Sequence, residues 1–166
     1  MMFLHKCYFV LFTYTILYVK FAALVANNIH TFDGGGIVDF IEKDFFFEIL
    51  EPKELSYTFK IRPAKDFGVP FNSSFSGRGV RMVPVDPACG CGWPRNAEDI
   101  EGAVALVERG ECSFLSKAVR VEQAGALAVV IADNEPDSDE HFIEMIDDGT
   151  GRDANIPVAF LLGKNG

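Results

Sequence analysis

The chain has 166 residues, of which 49% are hydrophobic and 23% are charged, and its formal net charge is −9. This apolar content excludes general disorder, and the length suits one compact domain preceded by a targeting segment. A surface this acidic repels phosphate backbones and anionic lipid headgroups, so nucleic acid is excluded as a partner.

The N-terminus has the pattern of a secretory signal peptide over residues 1–26. A lysine precedes the uncharged, mainly apolar and aromatic run Cys7–Val19, and smaller residues lead to a cleavage point after Ala26. A membrane-spanning helix needs about 20 apolar residues, and Lys20 interrupts this run early, so cleavage is favoured. Leu24 stands where a small residue is preferred, which leaves an uncleaved anchor as the alternative. Cleavage predicts a secreted protein without stable membrane insertion.

The first predicted elements after the signal are a flexible lead-in segment and a β-hairpin. Residues 27–36 are polar and glycine-rich, and the domain itself is expected to cover residues 37–166. Ile37–Leu50 and Leu55–Ile61 are rich in Phe, Ile and Tyr and predict two paired strands. Asn72 starts the sequon Asn-Ser-Ser within a loop rich in turn-forming residues, so we expect it to be N-glycosylated.

The second half predicts strands around one helix. Ser113 suits the N-cap of an amphipathic helix that Gly125 ends. Apolar runs lie on both sides of it, and together they predict a βαβ unit with parallel strands. A short helix or strand is expected at Phe142–Ile146. The predicted strands of this half are Val80–Val85, Gly102–Glu108, Ala126–Ala132 and Ile156–Leu162. The fold class is therefore α+β.

Three cysteines remain if the signal is cleaved: Cys89, Cys91 and Cys112. An odd number in a secreted protein predicts one disulfide with one further thiol, or an intermolecular bridge. Zinc is disfavoured because the Cys-x-Cys spacing is tighter than usual and no histidine lies nearby. An oxidising compartment favours a disulfide. On this reasoning either Cys89 or Cys91 can pair with Cys112.

No catalytic motif stands out. The sequence has neither an H-E-x-x-H helix nor a G-x-S-x-G elbow. We therefore expect a protein that is not an enzyme and that uses no cofactor.

An acidic loop near residue 135 raises calcium as the alternative. Its carboxylates occupy positions 1, 3, 5, 7 and 12 of an EF-hand-like spacing; they are Asp133, Glu135, Asp137, Asp139 and Glu144. Ser138 stands where an EF-hand needs glycine, and Pro136 stiffens the loop. An exposed acidic loop is thus favoured over a calcium-stabilised extracellular module, and no metal site is expected.

Several motifs resemble the protease-associated domain family. Arg109-Gly-Glu-Cys112-Ser-Phe114 matches the family pattern Arg-Gly-x-Cys-x-Phe. Ala88-Cys89-Gly90, the run Ala128–Asn134 and Ile156-Pro157-Val158 resemble other family segments in the same order. Cys91 is a departure from the pattern.

This resemblance implies a β-barrel-like sheet flanked by helices, with one βαβ unit, used for protein or peptide recognition rather than catalysis. It implies a disulfide between Cys89 and Cys112. It also places a recognition rim beside that disulfide, formed by Arg109, Gly110, Glu111 and Phe114. Family members continue beyond the Gly163–Gly166 turn, so a C-terminally shortened domain is expected.

Overall fold

The computed structural model describes residues 45–71, 79–135, 137 and 143–163, together with the backbone of residues 17–23. A 3-10 turn lies at Lys53–Leu55. The strands are β1 (Leu17–Ala23), β2 (Phe45–Glu51), β3 (Thr58–Pro63), β4 (Gly79–Pro84), β5 (Val104–Glu108), β6 (Ala128–Ala132) and β7 (Val158–Leu161). The helices are α1 (Ala97–Ile100) and α2 (Phe114–Gln123).

The strands close into a barrel in the order β1-β2-β3-β7-β6-β5-β4. One half is parallel, because β5 pairs in parallel with both β4 and β6, and β6 pairs in parallel with β7. The other half is antiparallel and comprises β1 with β2 and β4, β2 with β3, and β3 with β7. This mixed barrel with few helices confirms the predicted fold class.

The parallel strands β5, β6 and β7 are buried on both faces along most of their length, which explains their continuous apolar runs. Along β6, Ala128 and Val130 belong to the cluster shared with β2, β3 and β4, whereas Val129 and Ile131 belong to the cluster that packs on α2. Strands β5 and β7 alternate in the same way. The connection β5–α2–β6 confirms the predicted βαβ unit.

The described elements are shorter than predicted at several ends. In the described residues the first hairpin strand starts at Phe45, and residues 27–44 lie outside them. The short helix or strand predicted at Phe142–Ile146 is wrong, since residues 143–146 form neither; Phe142 itself lies outside the described residues. Met145 is nevertheless buried in the α2-facing core. Asn72 also lies outside the described residues, and its glycosylation stays a prediction.

Strand β1 lies inside the segment predicted to be a signal peptide. It pairs with β2 from Tyr18 to Ala23 and with β4 from Leu17 to Lys20, so it joins the two edges of the remaining sheet. Cleavage after Ala26, which stays a prediction, would remove this strand. Within the described part of the chain, the helices are all too short or too polar to cross a membrane.

Removing residues 1–26 should therefore loosen β4 at its beginning. Gly79, Val80 and Arg81 take their register from β1, whereas the register with β5 begins at Met82. We expect faster hydrogen exchange in a peptide covering Gly79–Arg81 when the chain starts at residue 27. The matched control is β6, which pairs with β5 and β7 and should keep its protection. Unchanged protection of Gly79–Arg81 would mean that another segment closes the barrel.

Candidate functional site

A tight turn connects the end of β5 to the start of α2. Gly110 adopts a φ of 108° and Glu111 a φ of 67°, a left-handed conformation that is uncommon for a residue with a side chain. The Cys112 amide donates to the Gly110 carbonyl at 2.8 Å. The Ser116 amide then donates to the Ser113 hydroxyl at 3.0 Å, so Ser113 is the N-cap of α2, as predicted.

The turn is joined to the end of β6 by a partly buried ion pair. The Arg109 Nη1 donates to Asp133 Oδ1 at 2.9 Å, and the Arg109 amide donates to the Ala132 carbonyl at 2.8 Å. The Asp133 side chain is 0% exposed and that of Arg109 is 30% exposed. Among the described residues, Asp133 Oδ2 has no hydrogen-bond partner. Arg109 therefore neutralises a buried carboxylate while part of its side chain remains exposed to solvent.

A second loop, residues 86–96, packs against the same edge of the sheet. An ion pair between Arg95 and Asp86 closes its base, and the Arg95 hydrogen bonds hold the pKa of Asp86 below its ordinary value. The Glu108 amide donates to the Ala88 carbonyl at 2.7 Å, which docks the loop on the end of β5. A Cβ at Gly90 would lie 2.9 Å from Val107 Cγ1, so the close approach requires glycine there.

The disulfide joins Cys91 to Cys112, with Cα atoms 5.9 Å apart. The predicted pairing of Cys89 with Cys112 is therefore corrected. Gly90 has a φ of 59°, and this turn buries the side chain of Cys89 while Cys91 stays half-buried beside Cys112. A crosslink of this span stabilises a fold by about 3 kcal/mol in the chain-entropy model.

Lys117 is the functional group in this region that sequence reasoning missed. It is 0% exposed on α2, and its ammonium donates to the carbonyls of Cys89 and Gly110. The same Nζ lies 3.5 Å from Cys91 Sγ. The lysine thus connects the cysteine loop, the turn after β5 and the helix. The sequence signal was its position on the apolar stripe of α2, three residues after Phe114 and four before Val121.

The structure brings three of the four predicted rim residues together. Arg109, Gly110 and Glu111 form the turn itself. Phe114 is half-buried and packs edge-to-face on Phe160, with ring centroids 6.2 Å apart, so it contributes to the core. Trp93, on the neighbouring loop, is 58% exposed and presents an aromatic surface that the prediction did not include.

The segment after residue 146 is hydrogen-bonded to the start of α2. The hydroxyl of Ser113 donates to Asp148 Oδ2, and Arg152 Nη2 donates to both Asp148 and Ser116 at 2.9 Å. The Thr150 hydroxyl donates to Asp148 Oδ1 at 2.6 Å. These hydrogen bonds, those from Ser113 and Thr150 above all, lower the pKa of Asp148 to about 2.

The acidic loop that raised calcium as an alternative does not bring its carboxylates together in its described part. Asp133 is engaged by Arg109, Glu135, Asp137 and Glu144 are exposed, and Asp139 lies outside the described residues. Within the described part of the chain, the grouping of potential metal ligands is Cys89, Cys91 and Glu111. Because Cys91 is bonded to Cys112, its sulfur is not a thiolate ligand in this state.

Replacing Lys117 with methionine should destabilise the domain by about 2–5 kcal/mol. The change removes two charge-assisted hydrogen bonds. It leaves the Cys89 carbonyl without its lysine donor, whereas the Gly110 carbonyl keeps the Cys112 amide. Lys53→Met, at an exposed position of the 3-10 turn, is the matched control and should change stability by about 0.5 kcal/mol or less. Urea denaturation measures both, and equal effects would show that the buried ammonium has no special role.

Asp148→Asn should produce a pH-dependent loss of stability. The carboxylate has a folded pKa of about 2 against an ordinary 3.8, so it stabilises the fold above pH 3.8 and this contribution is lost as the pH falls toward 2. The melting temperature of the variant should lie below that of the parent at pH 6, and the difference should shrink below pH 3.8 and vanish only below pH 2. The matched control is Glu54→Gln, an exposed acidic position. A difference in melting temperature between Asp148→Asn and the parent that does not depend on pH would contradict the mechanism.

The family model of the PA domain matches residues 77–166, which include both loops and the βαβ unit. A PRADC1-like protein of Drosophila melanogaster is 57% identical over 132 residues, which cover 77% of this chain and 65% of that protein. The human ER degradation-enhancing alpha-mannosidase-like protein 3 is 36% identical over 104 residues, which cover 60% of this chain and 11% of that protein.

A zinc aminopeptidase from Bacillus subtilis is among the similar solved structures. It has a TM-score of 0.49 and 22% sequence identity, over 66% of this chain and 24% of the enzyme chain. The chain spans less than two thirds of the length of these relatives. The matched region covers more than half of the chain, and the chain therefore belongs to the PA domain family.

Proposed function

We propose that this protein is a non-catalytic recognition domain of the secretory pathway, which binds a protein or peptide ligand. The recognition surface lies at the carboxyl ends of β5 and β6, and we define the recognition edge as Trp93, Arg109, Gly110 and Glu111. The observation that carries the proposal is an exposed tryptophan and a partly exposed arginine on two loops that a disulfide and an ion pair anchor.

The chemistry of the recognition edge suits protein contacts. Tryptophan and arginine are the residues most enriched at energetic centres of protein interfaces. Trp93 lies two residues after the disulfide-bonded Cys91, and the buried Asp133 orients Arg109 by accepting its hydrogen bond. Because these loops are already constrained, binding would order few additional degrees of freedom, which favours affinity.

The polar groups near the recognition edge have structural partners, which supports a non-catalytic role. Ser113 caps α2 and donates to Asp148, and Arg109 neutralises Asp133. Neither arrangement is a nucleophile held by a general base. The similar aminopeptidase of Pseudomonas aeruginosa is covered over 22% of its length by this chain, so that enzyme's activity is not carried over.

Three observations support the secretory pathway. The N-terminal pattern predicts a signal peptide, Asn72 lies in a sequon, and Cys91 is bonded to Cys112. Disulfides persist in oxidising compartments. The name of the human relative places that protein in ER degradation, which agrees with this assignment.

A crosslinking experiment in secreting cells tests the recognition edge. Trp93→Ala, and the pair Arg109→Ala with Asp133→Asn, should each reduce crosslinked partners at least fivefold while secretion continues. The paired change avoids leaving the buried Asp133 carboxylate without its arginine.

The matched control is Leu127→Ala, since Leu127 is 45% exposed and precedes β6 at the opposite end of the parallel strands. It should leave the crosslinked partners unchanged. If all the variants retain the same partners as the parent, the recognition edge is not the binding surface.

A further inference from the structure

Three cysteines and a buried lysine meet beside the recognition edge. Cys89 keeps its thiol, Cys91 and Cys112 share the disulfide, and Lys117 lies against both loops. We propose that this cluster is a thiol–disulfide exchange site, in which the bond moves between Cys91–Cys112 and Cys89–Cys112. The two isomers belong to one folded protein and interconvert without an external oxidant.

The geometry places the thiol next to the bond. The sulfur atoms of Cys89 and Cys91 lie within 4.8 Å of each other, together with a carboxylate oxygen of Glu111. Cys112 Sγ is bonded to Cys91 Sγ, so it lies in the same cluster. The contact between the Glu108 amide and the Ala88 carbonyl keeps Cys89 at the end of β5. The thiol therefore lies beside the disulfide that it would attack.

The exchange is balanced in atoms and electrons. The Cys89 thiol gives its proton to solvent, and its thiolate attacks Cys112 Sγ. The Cys89–Cys112 bond forms while the Cys91–Cys112 bond breaks, and the electron pair leaves on Cys91 Sγ, which then takes a proton from solvent. One thiol and one disulfide are present before and after the step.

Lys117 selects Cys91 as the leaving sulfur. Its ammonium lies 3.5 Å from Cys91 Sγ and stabilises the negative charge that develops there. A leaving thiolate of lower basicity departs faster, so this contact accelerates the exchange. The same ammonium binds the Cys89 and Gly110 carbonyls, which keeps both loops in place during the step.

Exchange would change how the loop of residues 86–96, which carries Trp93, is anchored. In the structure, Cys91 anchors the loop two residues before Trp93. After exchange the anchor moves to Cys89, and the segment Cys91–Pro94 is held by the ion pair of Arg95 with Asp86 at its other end. The isomer present therefore determines how firmly Trp93 is positioned.

Labelling of the folded full-length protein with a thiol-specific maleimide tests the proposal, and every sample carries Cys7→Ser so that this position adds no thiol. Cys89 is buried, with 9% exposure, whereas Cys91 is half-buried. Exchange frees the more accessible Cys91 thiol, so the maleimide should react there. Fragment mass spectra then locate the label within the peptide that contains both residues. We expect the label on Cys91, a Cys89–Cys112 bond, and a rate that rises about tenfold per pH unit between pH 6 and 8.

Two variants test directly which cysteines can form the disulfide, without a comparison of labelling rates. Cys91→Ala should form the Cys89–Cys112 bond and show no reactive thiol after denaturation, whereas Cys89→Ala should keep Cys91–Cys112 and take up no label. A label on Cys89 alone overturns the proposal. So does the absence of label over a time in which the unfolded protein reacts fully, or two reactive thiols in denatured Cys91→Ala.

Discussion

The buried ammonium of Lys117 is the interaction on which the arrangement of the functional loops depends. A fully buried lysine is stable only when polar groups replace the water that it has lost. The carbonyls of Cys89 and Gly110 are among these groups, and each belongs to a different loop. Because the lysine is anchored on α2, its requirement for acceptors fixes both loops relative to the βαβ unit. This requirement helps to position the disulfide and the turn at Arg109–Glu111.

The barrel supplies a rigid support for those loops. Its parallel half is packed on both faces, with the barrel interior on one side and α2 on the other. Parallel strands end at a common edge, so the loops after β5 and β6 become neighbours, and the ion pair of Arg109 with Asp133 joins them. Ligand sites in parallel sheets occur at this edge for the same topological reason. The surface is thus a consequence of strand direction as much as of residue type.

The sequence predicted those parts of the structure that depend on local rules. Ser113 and Gly125 delimit α2 because capping needs a hydroxyl at one end and a left-handed φ at the other. The cysteine pairing was not predictable in this way, since it depends on a turn at Gly90 that points two nearby side chains in different directions. Lys117 was missed because composition counts a lysine as a surface charge, whereas its place on the apolar stripe determines its burial.

The segment containing β1 shows why a local sequence pattern does not distinguish a signal peptide from a β-strand. An apolar run of this length satisfies the signal for secretion, and the same backbone can also pair as a strand. Without β1, the facing edges of β2 and β4 would present unpaired amides and carbonyls, which proteins normally cover. A cleaved leader and this closed barrel therefore exclude each other unless a different extended segment pairs with β2 and β4. Whether the leader is cleaved therefore determines which segment closes the sheet between β2 and β4.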